Sequence, residues 1–590
     1  MKLESEIRRE NEHKLTFSKT AQAILSERYF VRDADGRCVE DAPAMFLRVA
    51  AHVAEPSREY GESVEQWAEK FLSRMERMEF LPNSPTLMNA GIAGGQLAAC
   101  FVLPIEDDLE SIFSALKLAA RIHQTGGGTG FSFSKLRPRN DFVRSTGGIS
   151  SGPVSFVELF DRTTAVIRQG GRRRGANMAV LRVDHPNILE FVDAKRSPGR
   201  LENFNLSVGI TDGFLTSLTS GEKFALRNPR SGLVTGSADP HELFDAIVNS
   251  AWQTGEPGLL FLDEINRHNP TPQLGSIEAT NPCGEQPLLS LESCTLGSLN
   301  LKAFAADENG LDWPRLREAI RDGVVFLDNV IDANRYPTAE IAEATRRTRK
   351  IGLGVMGFAD LLAISGIPYD SAQAVQLAGK IAKFITATAR EMSIELGAKR
   401  GSFPAFNSSV WATRGLSSIR NAAVTCVAPT GTLSIIAGVS GGIEPFFALA
   451  TRRRTLDDRQ FVEVNELVSA ELEKLGAIGQ DALSVIRETG SLHNADGIPS
   501  QLRRRFPVAL EIPWSAHLAV QAAFQEHIDA AVSKTINLPS DAPSTLVRDV
   551  FNAAARLRLK GVTVYRYGSR PRQVLSLLEP ESYECRECAV

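Results

Sequence analysis

The 590-residue sequence predicts an α/β fold with most of the chain in one large domain, and three observations lead there. From Leu81 to Tyr567 helix-like and strand-like stretches alternate, the rhythm of a sheet covered by helices. No low-complexity segment, long linker or repeat at solenoid spacing divides that span. Hydrophobic residues make up 43% and charged residues 23%, ordinary for a globular chain able to bury a large core. A chain of this length exceeds what one core usually organises unless the sheet closes into a barrel.

Taken in order, residues 1–80 read as a helical N-terminal region, with helices at Pro43–Ala54 and Val64–Met78. Leu109–Gln124 has helical spacing behind Asp107 and Asp108, both good N-caps. Phe131–Leu136 alternates like a strand, Ser155–Gln169 returns to helix, and Ala179–Val183 and Asn205–Ile210 are strand-like. His517–Ser533 has a strong helical pattern. Ser544–Lys560 reads as a helix with Ser544 at its N-cap, feeding a strand at Gly561–Tyr565. This gives three regions: 1–80 helical, 81–569 catalytic, and 570–590 a polar, Glu-rich tail expected to be mobile.

The net charge of −4 gives no sign of a protein that coats nucleic acid or a membrane surface. No apolar run approaches the ~18 residues a bilayer span needs. The N-terminus, Met1-Lys2-Leu3-Glu4-Ser5-Glu6, lacks the apolar core of a signal peptide, so a cytoplasmic location is expected. Seven cysteines are too few and too scattered for a disulfide framework. The default of a small buried hydrophobe suits Cys426, in the apolar stretch Ala422–Ala428, and Cys38, beside a polar turn.

Asn281-Pro282-Cys283-Gly284-Glu285-Gln286-Pro287-Leu288-Leu289 is the densest candidate for chemistry. Pro282 and Gly284 constrain a loop tip around Cys283, and a carboxylate and an amide flank the sulfur. That suits a reactive sulfur with a general base; a plain loop whose Cys and Glu face apart is an equal reading of nine residues. Glycine-rich turns recur at Thr125–Gly130, Gly147–Gly152 and Gly170-Gly171-Arg172-Arg173-Arg174-Gly175. Backbone N–H groups and arginines of this kind close around phosphate, although the arginine triplet also fits a solvated patch. Pro429-Thr430-Gly431-Thr432-Leu433-Ser434 reads as a hydroxyl-rich helix start open to phosphate or simply capped. Ser84, in Ser84-Pro85-Thr86, belongs to a second such loop. Cys585-Arg586-Glu587-Cys588 has no second ligand pair for zinc nearby, which favours a dithiol that exchanges electrons.

These strings resemble the ribonucleotide reductases. The likeness rests on Asn281–Leu289 continuing to Glu292-Ser293-Cys294-Thr295-Leu296-Gly297-Ser298-Leu299-Asn300, on Leu97-Ala98-Ala99-Cys100-Phe101-Val102-Leu103-Pro104, on Gly170–Val183 and on Pro429–Ile436. It runs from about residue 15 to 575 in the expected order. Lys560-Gly561-Val562-Thr563-Val564-Tyr565-Arg566-Tyr567-Gly568 is similar to the class II, adenosylcobalamin-dependent form. The adjacent tyrosine pair of class I large subunits is missing, since Arg566 separates Tyr565 from Tyr567, and no class III glycyl-radical motif is present. The chain opens without the ATP-cone of many relatives and has no Asp-x-His-x-x-Gly cobalamin motif.

The resemblance implies a ten-stranded α/β barrel with Cys283 on a finger loop, 281–289, sheltered inside. It implies that adenosylcobalamin oxidises Cys283 to a thiyl radical, which takes hydrogen from the ribose 3′ carbon. Glu285 acts as general base, Asn281 hydrogen-bonds the sugar, and Cys100 and Cys294 are oxidised as the 2′ hydroxyl leaves. Cys585 and Cys588 then re-reduce that pair, fed by a thioredoxin- or glutaredoxin-like partner. Substrate phosphates fall on Pro429, Thr430, Gly431, Thr432 and Ser434, near Ser84. Asp108 and Arg137 bind a deoxynucleotide (dNTP) effector at a homodimer contact, and the Gly170–Gly175 loop passes on its identity. No metal ligand comes from protein side chains, and neither nucleic acid nor membrane is a partner. Rival readings are a class I large subunit, a nucleotide sensor without activity, and a dithiol oxidoreductase using the tail cysteines alone.

Overall fold

Five strands in the first half of the chain pair in parallel: Cys100–Leu103, Gly128–Ser132, Asn177–Arg182, Phe204–Ile210 and Gly258–Phe261. Parallel neighbours need crossovers, and helices such as Leu109–Gln124, Pro153–Ile167 and Pro240–Thr254 supply them. In the second half Ser293–Asn300 pairs in parallel with Ile351–Met356. The ladder passes in the same sense from Leu353 to Thr425 and from Val427 to Val532. The chain at Val532 runs on into Thr535–Leu538, which pairs in parallel with Gly561–Arg566. The two halves meet antiparallel at two seams, Cys100 opposite Cys294 and Leu259 opposite Val562. The named sheet has ten strands, one of which, Phe80–Pro82, lies outside the ring on Ser293–Asn300. Segment 423–427 takes the tenth place in the ring, held by Leu353 N–H to Val424 O (2.9 Å) and Val427 N–H to Ala531 O (3.1 Å). The result is the closed ten-stranded α/β barrel that the resemblance implied. The computed structural model describes residues 15–143, 147–167, 175–306, 310–454 and 460–570.

Strand alternation sorts the side chains into two faces. Phe101, Leu103, Phe131, Ala179, Leu181, Leu206 and Val208 lie outward beneath the helices. Cys100, Val102, Met178, Val180, Leu260, Cys294 and Leu296 point inward and pack with Ala279, Leu288 and Leu289 of a hairpin that enters the ring. That hairpin pairs Ala279–Thr280 with Pro287–Leu288. Room for it comes from glycine: a Cβ on Gly130 would lie 1.7 Å from the Thr280 carbonyl oxygen, and one on Gly128 3.0 Å from Pro282 Cγ. On Ile351–Met356, a Cβ at Gly352 would lie 2.5 Å from Gln286 Nε2. The glycines at 128 and 130, read from sequence as an anion-binding turn, are therefore used for close packing inside the ring.

Helix Leu109–Gln124 has its predicted bounds, with the Asp108 carboxylate accepting from Ser111 N–H. Ala42–Ala54, Val64–Glu76, Asn177–Arg182, Phe204–Ile210 and Gly561–Arg566 depart from expectation by one or two residues at an end. Pro153–Ile167 starts earlier than predicted, and the expected end at 168–169 lies outside the described residues. Other expectations fail. The helix read as His517–Ser533 is Trp514–Gln525; beyond it Ala531 and Ser533 exchange backbone hydrogen bonds with Val427 in the ring. Ser544 is the first helical residue, with Pro543 at the N-cap position and no side-chain cap. The strand expected at Phe131–Leu136 is Gly128–Ser132, displaced into the glycine run. Cys38 is exposed, because its short loop lies at the surface and not in the core. Among the described residues no helix is long and apolar enough to cross a membrane.

The helical layer is tied to the ring by one buried charge. Asp328, on helix Trp313–Ala333, is fully buried and accepts from Arg349 Nη2 (2.8 Å), Arg400 Nη1 (3.2 Å), Arg420 Nε (3.2 Å) and Asn421 Nδ2 (3.0 Å). Arg400 continues to Glu62 in the N-terminal region, and Arg349 to Asp332. Burial pushes the Asp328 carboxyl up, but Arg349, Arg420 and Arg400 overcome it and hold the group at about 2. Replacing Asp328 by Ala removes the buried carboxylate that three guanidiniums share and is expected to cost roughly 3–5 kcal/mol in urea unfolding. Because the folded pKa is depressed, the stabilisation is complete above the free Asp value of roughly 3.9 and lost as pH falls towards 2. Asp328→Asn should flatten this acid limb; an unchanged unfolding midpoint for Asp328→Ala would refute the assignment.

Candidate active site

The tip of the inward hairpin is a tight turn. Asn281 O accepts from Gly284 N–H at 3.1 Å, placing Pro282 and Cys283 at the two central positions. Asn first, Pro second and Gly fourth are the residue preferences of such a turn, and Gly284 has φ +81°. The Asn281 side chain locks the neck: Oδ1 accepts from Gln286 N–H at 3.0 Å, while Asn281 N–H donates to Gln286 O at 3.2 Å. Asn205 Nδ2 donates to Pro282 O at 2.8 Å, and Ala531 N–H donates to Glu285 O at 3.0 Å. The hairpin is thus gripped from both half-barrels. Asn281, Glu285 and Gln286 are buried.

Cys283 is exposed. The expectation of a sulfur sheltered from solvent is corrected here: the turn presents its third residue outward from the hairpin tip. Asn205 alternates with the outward-packed Phe204 and Leu206, so it faces the ring interior, and it too is exposed. Cys283 therefore opens onto an accessible mouth of the barrel.

Behind the tip lie two further sulfurs. Cys100 and Cys294 are directly opposite each other on antiparallel strands. Such pairs have Cα atoms ~4.5–5.5 Å apart, within the ~4.4–6.8 Å that a disulfide requires. Both are reduced and buried. Asn281 Nδ2 donates to Cys100 Sγ at 3.2 Å, which joins the turn to the pair. Burial, then the charge of Glu285 and the neighbouring Cys294 and Cys283, push the Cys100 thiol well up. Burial, with Cys426 and Glu292, does the same to Cys294 against the opposing Lys350. Two neutral, facing thiols can give up two electrons and two protons together.

The other sequence candidates are distributed as follows. Thr430 precedes helix Gly431–Ala437 with φ +54°, a strained setting for a β-branched residue. Its Oγ1 accepts from Gly442 N–H at 2.8 Å, and Ser434 Oγ donates to Gly431 O at 3.2 Å. Pro429 and Thr432 are half-buried and Gly431 is exposed. Ser84 opens helix Ser84–Asn89, 2.7 Å from Tyr29 Oη. The segment before Tyr29, Lys19–Ile24, packs on Gly431–Ala437, so both hydroxyl loops share one neighbour. Asp108 caps its helix, and Arg137 is held by Asp107 at 2.8 Å; Asp107 had been read only as a cap. Gly175 packs on His123. Gly170, Gly171, Arg172, Arg173 and Arg174, together with Cys585 and Cys588, lie outside the described residues.

Sequence reading missed the buried Lys350–Glu292 pair (2.7 Å) beside Cys294. Its signal was Lys350 standing immediately before the apolar strand Ile351–Met356. It also missed that Cys426, though buried as expected, belongs to the inner cluster of Cys100 and Cys294. Among the described residues no group of His, Cys, Asp and Glu could hold a metal ion.

This arrangement predicts an order of thiol reactivity. Iodoacetamide should modify Cys283 and Cys38 in the native protein, while Cys100, Cys294 and Cys426 react only after unfolding. Peptide mass mapping reads the outcome, and native labelling of Cys100 as fast as Cys283 would contradict the geometry.

Comparison with known proteins agrees with the geometry. Residues 15–95 match the ribonucleotide reductase all-alpha domain, and residues 98–418 and 413–565 the ribonucleotide reductase barrel domain. The vitamin B12-dependent ribonucleoside-diphosphate reductase of Mycobacterium tuberculosis (strain CDC 1551 / Oshkosh) is 50% identical, over 96% of this chain and 82% of that protein. A protein of the same description from Thermoplasma acidophilum is 43% identical, over 95% and 80%. Among solved structures, the Actinobacillus ureae class Id ribonucleotide reductase alpha subunit superposes with a TM-score of 0.75 at 25% identity, covering 94% of this chain and 97% of that one. With a ten-stranded barrel, an inward Cys-bearing hairpin and a facing cysteine pair behind it, the chain belongs to the ribonucleotide reductase family.

Proposed function

We propose that this chain reduces ribonucleoside diphosphates to 2′-deoxyribonucleotides by thiyl-radical chemistry dependent on adenosylcobalamin, supplying precursors for DNA synthesis. The observation that carries the reading is Cys100 facing Cys294 with Asn281, two residues from Cys283, on the Cys100 sulfur. The names of the M. tuberculosis and T. acidophilum relatives support both the diphosphate substrate and the cobalamin. The barrel mouth fits a large group beside Cys283: the residue is exposed, a Cβ on Gly284 would meet nothing within 4 Å, and Asn205 is exposed next to them. These three residues form the wall the cofactor would face. When bound, adenosylcobalamin supplies the radical that removes the hydrogen atom of the Cys283 thiol.

The chain's own groups do the rest. The Cys283 thiyl takes hydrogen from C3′ of the ribose, Glu285 accepts the 3′-hydroxyl proton, and Asn281 holds the sugar. The 2′ hydroxyl leaves as water, Cys100 and Cys294 give up two electrons and two protons to become a disulfide, and Cys283 returns its hydrogen to C3′. Cys585 and Cys588 reduce that disulfide and are reduced in turn by a thioredoxin- or glutaredoxin-like protein. Substrate phosphates lie at Pro429–Ser434 with Ser84. A dNTP effector binds near Asp108 and Arg137 and acts through Gly170–Gly175. Leu109 and Phe113 are exposed one turn apart beside Asp108, with exposed Val166 on the neighbouring helix, a face suited to a second copy. We further propose a cytoplasmic homodimer with regions 1–80, 81–569 and 570–590. The class I alternative is not favoured, since Tyr565 and Tyr567 are not adjacent.

Anaerobic turnover of each ribonucleotide with adenosylcobalamin and a dithiol tests the reading. Wild type should turn over without a second subunit, and Cys283→Ser should lose activity by on the order of 10⁴-fold or more. An absolute requirement for a radical-generating partner protein, or an active Cys283→Ser variant, would sink the proposal.

A further inference from the structure

A cleft of about 380 Å³ opens beside the closing segment of the ring, lined by Ala422 and Ala423 together with helix and loop residues. No residue placed in the proposed chemistry lines it. Its cations stand out. The guanidiniums of Arg390 and Arg414 lie 4.9 and 5.4 Å from the ring centroid of Trp411, so two like charges share one indole. Arg390 Nη2 pairs with Asp529 Oδ1 at 2.5 Å, but its buried Nε has no partner. Asp529 is already committed, since its Oδ2 accepts from Val424 N–H. Arg414 and Lys383, both exposed, have no ion pair among the described residues. Arg267 at the rim is neutralised by Glu264 and Asp212, His268 and His527 are also present, and Glu526 is the remaining carboxylate.

Spare guanidinium donors and an ammonium around a cleft of this size suit the several acceptor oxygens of a tetrahedral phosphate. Trp411 is only 7% exposed, which leaves no ring face for a base to stack on. We propose that this cleft binds the di- or triphosphate group of a small molecule through Lys383, Arg390 and Arg414, apart from any substrate or effector site. The ligand's phosphates, and not a nucleoside, carry recognition. The cleft shares His268, Pro270, Ala423 and Asp529 with a smaller one that reaches Gln286 and Pro287 of the hairpin. Two residues beyond Asp529, Ala531 N–H holds the Glu285 carbonyl. A ligand drawing Arg390 from Asp529 therefore acts on the neck of the catalytic turn.

Trp411 is the built-in reporter. Tryptophan fluorescence of the full chain is titrated with inorganic tripolyphosphate and, separately, with ATP. Wild type should show a saturable change with both at similar midpoints, absent in Trp411→Phe. The double variant Lys383→Glu/Arg414→Glu alters only exposed side chains and should weaken the midpoint at least about tenfold. ATP binding without tripolyphosphate binding, a signal that survives Trp411→Phe, or a midpoint unmoved by the charge reversal would each overturn the site.

Discussion

Space inside the ring is the constraint on which everything else depends. Ten strand positions enclose an interior that inward side chains would normally fill, yet here a hairpin has to enter it. Entry is possible because Gly130 has no Cβ where the Thr280 carbonyl oxygen lies, and Gly352 none where Gln286 reaches. Once seated, the hairpin completes the inner apolar cluster with Ala279, Leu288 and Leu289, so the same contacts that fill the barrel also fix the turn. The position of Cys283 follows from the packing of the hairpin that carries it.

Low polarity in the interior acts in opposite directions at two places. At Asp328 the carboxylate stays ionised because three guanidiniums overcome burial, and the charge network ties Glu62, helix Trp313–Ala333 and the second half-barrel together. At Cys100 and Cys294 burial dominates, and the thiols stay protonated. The nearby cation Lys350 is already matched by Glu292 and does not turn Cys294 into a thiolate. Neutral thiols keep their hydrogens, which suits the two-electron, two-proton role proposed for this pair.

Legibility in the sequence followed the range of the interactions. Helix Leu109–Gln124 was readable because its cap and period are local, and the turn at Asn281–Gly284 because Pro and Gly dictate it locally. Cys100 and Cys294 are 194 residues apart, and no spacing rule could set them face to face; the family resemblance supplied that pairing. The run Ile528–Val532 misled for the opposite reason. Being largely apolar it resembles helix, but Ala530 N–H bonds to Thr425 O, Ala531 N–H to Glu285 O and Ala531 O accepts from Val427 N–H, so the run follows the ring in extended form, with a single bridge at Val532. Glycine was legible as a residue and not as a purpose, since a missing Cβ serves an anion and a neighbouring strand equally well.

The division of exposure among the three sulfurs constrains how electrons can arrive. Cys283 opens to the mouth, where a large group can reach it, whereas Cys100 is 4% and Cys294 0% exposed. A folded reductant has too broad a surface to touch either buried sulfur across that mouth, and thiol–disulfide exchange requires direct attack of one sulfur on another. In the proposed reaction electrons therefore come on a slender peptide, or the seam opens. The Cys585–Cys588 pair at the end of the chain has the right chemistry for the first route. The second would separate strands that hold the barrel closed and withdraw Asn281 from Cys100, undoing the turn that positions Cys283. A peptide carrier leaves the ring intact between turnovers, and on that physical ground it is the better match to the proposed role of a hairpin whose placement depends on the ring staying closed.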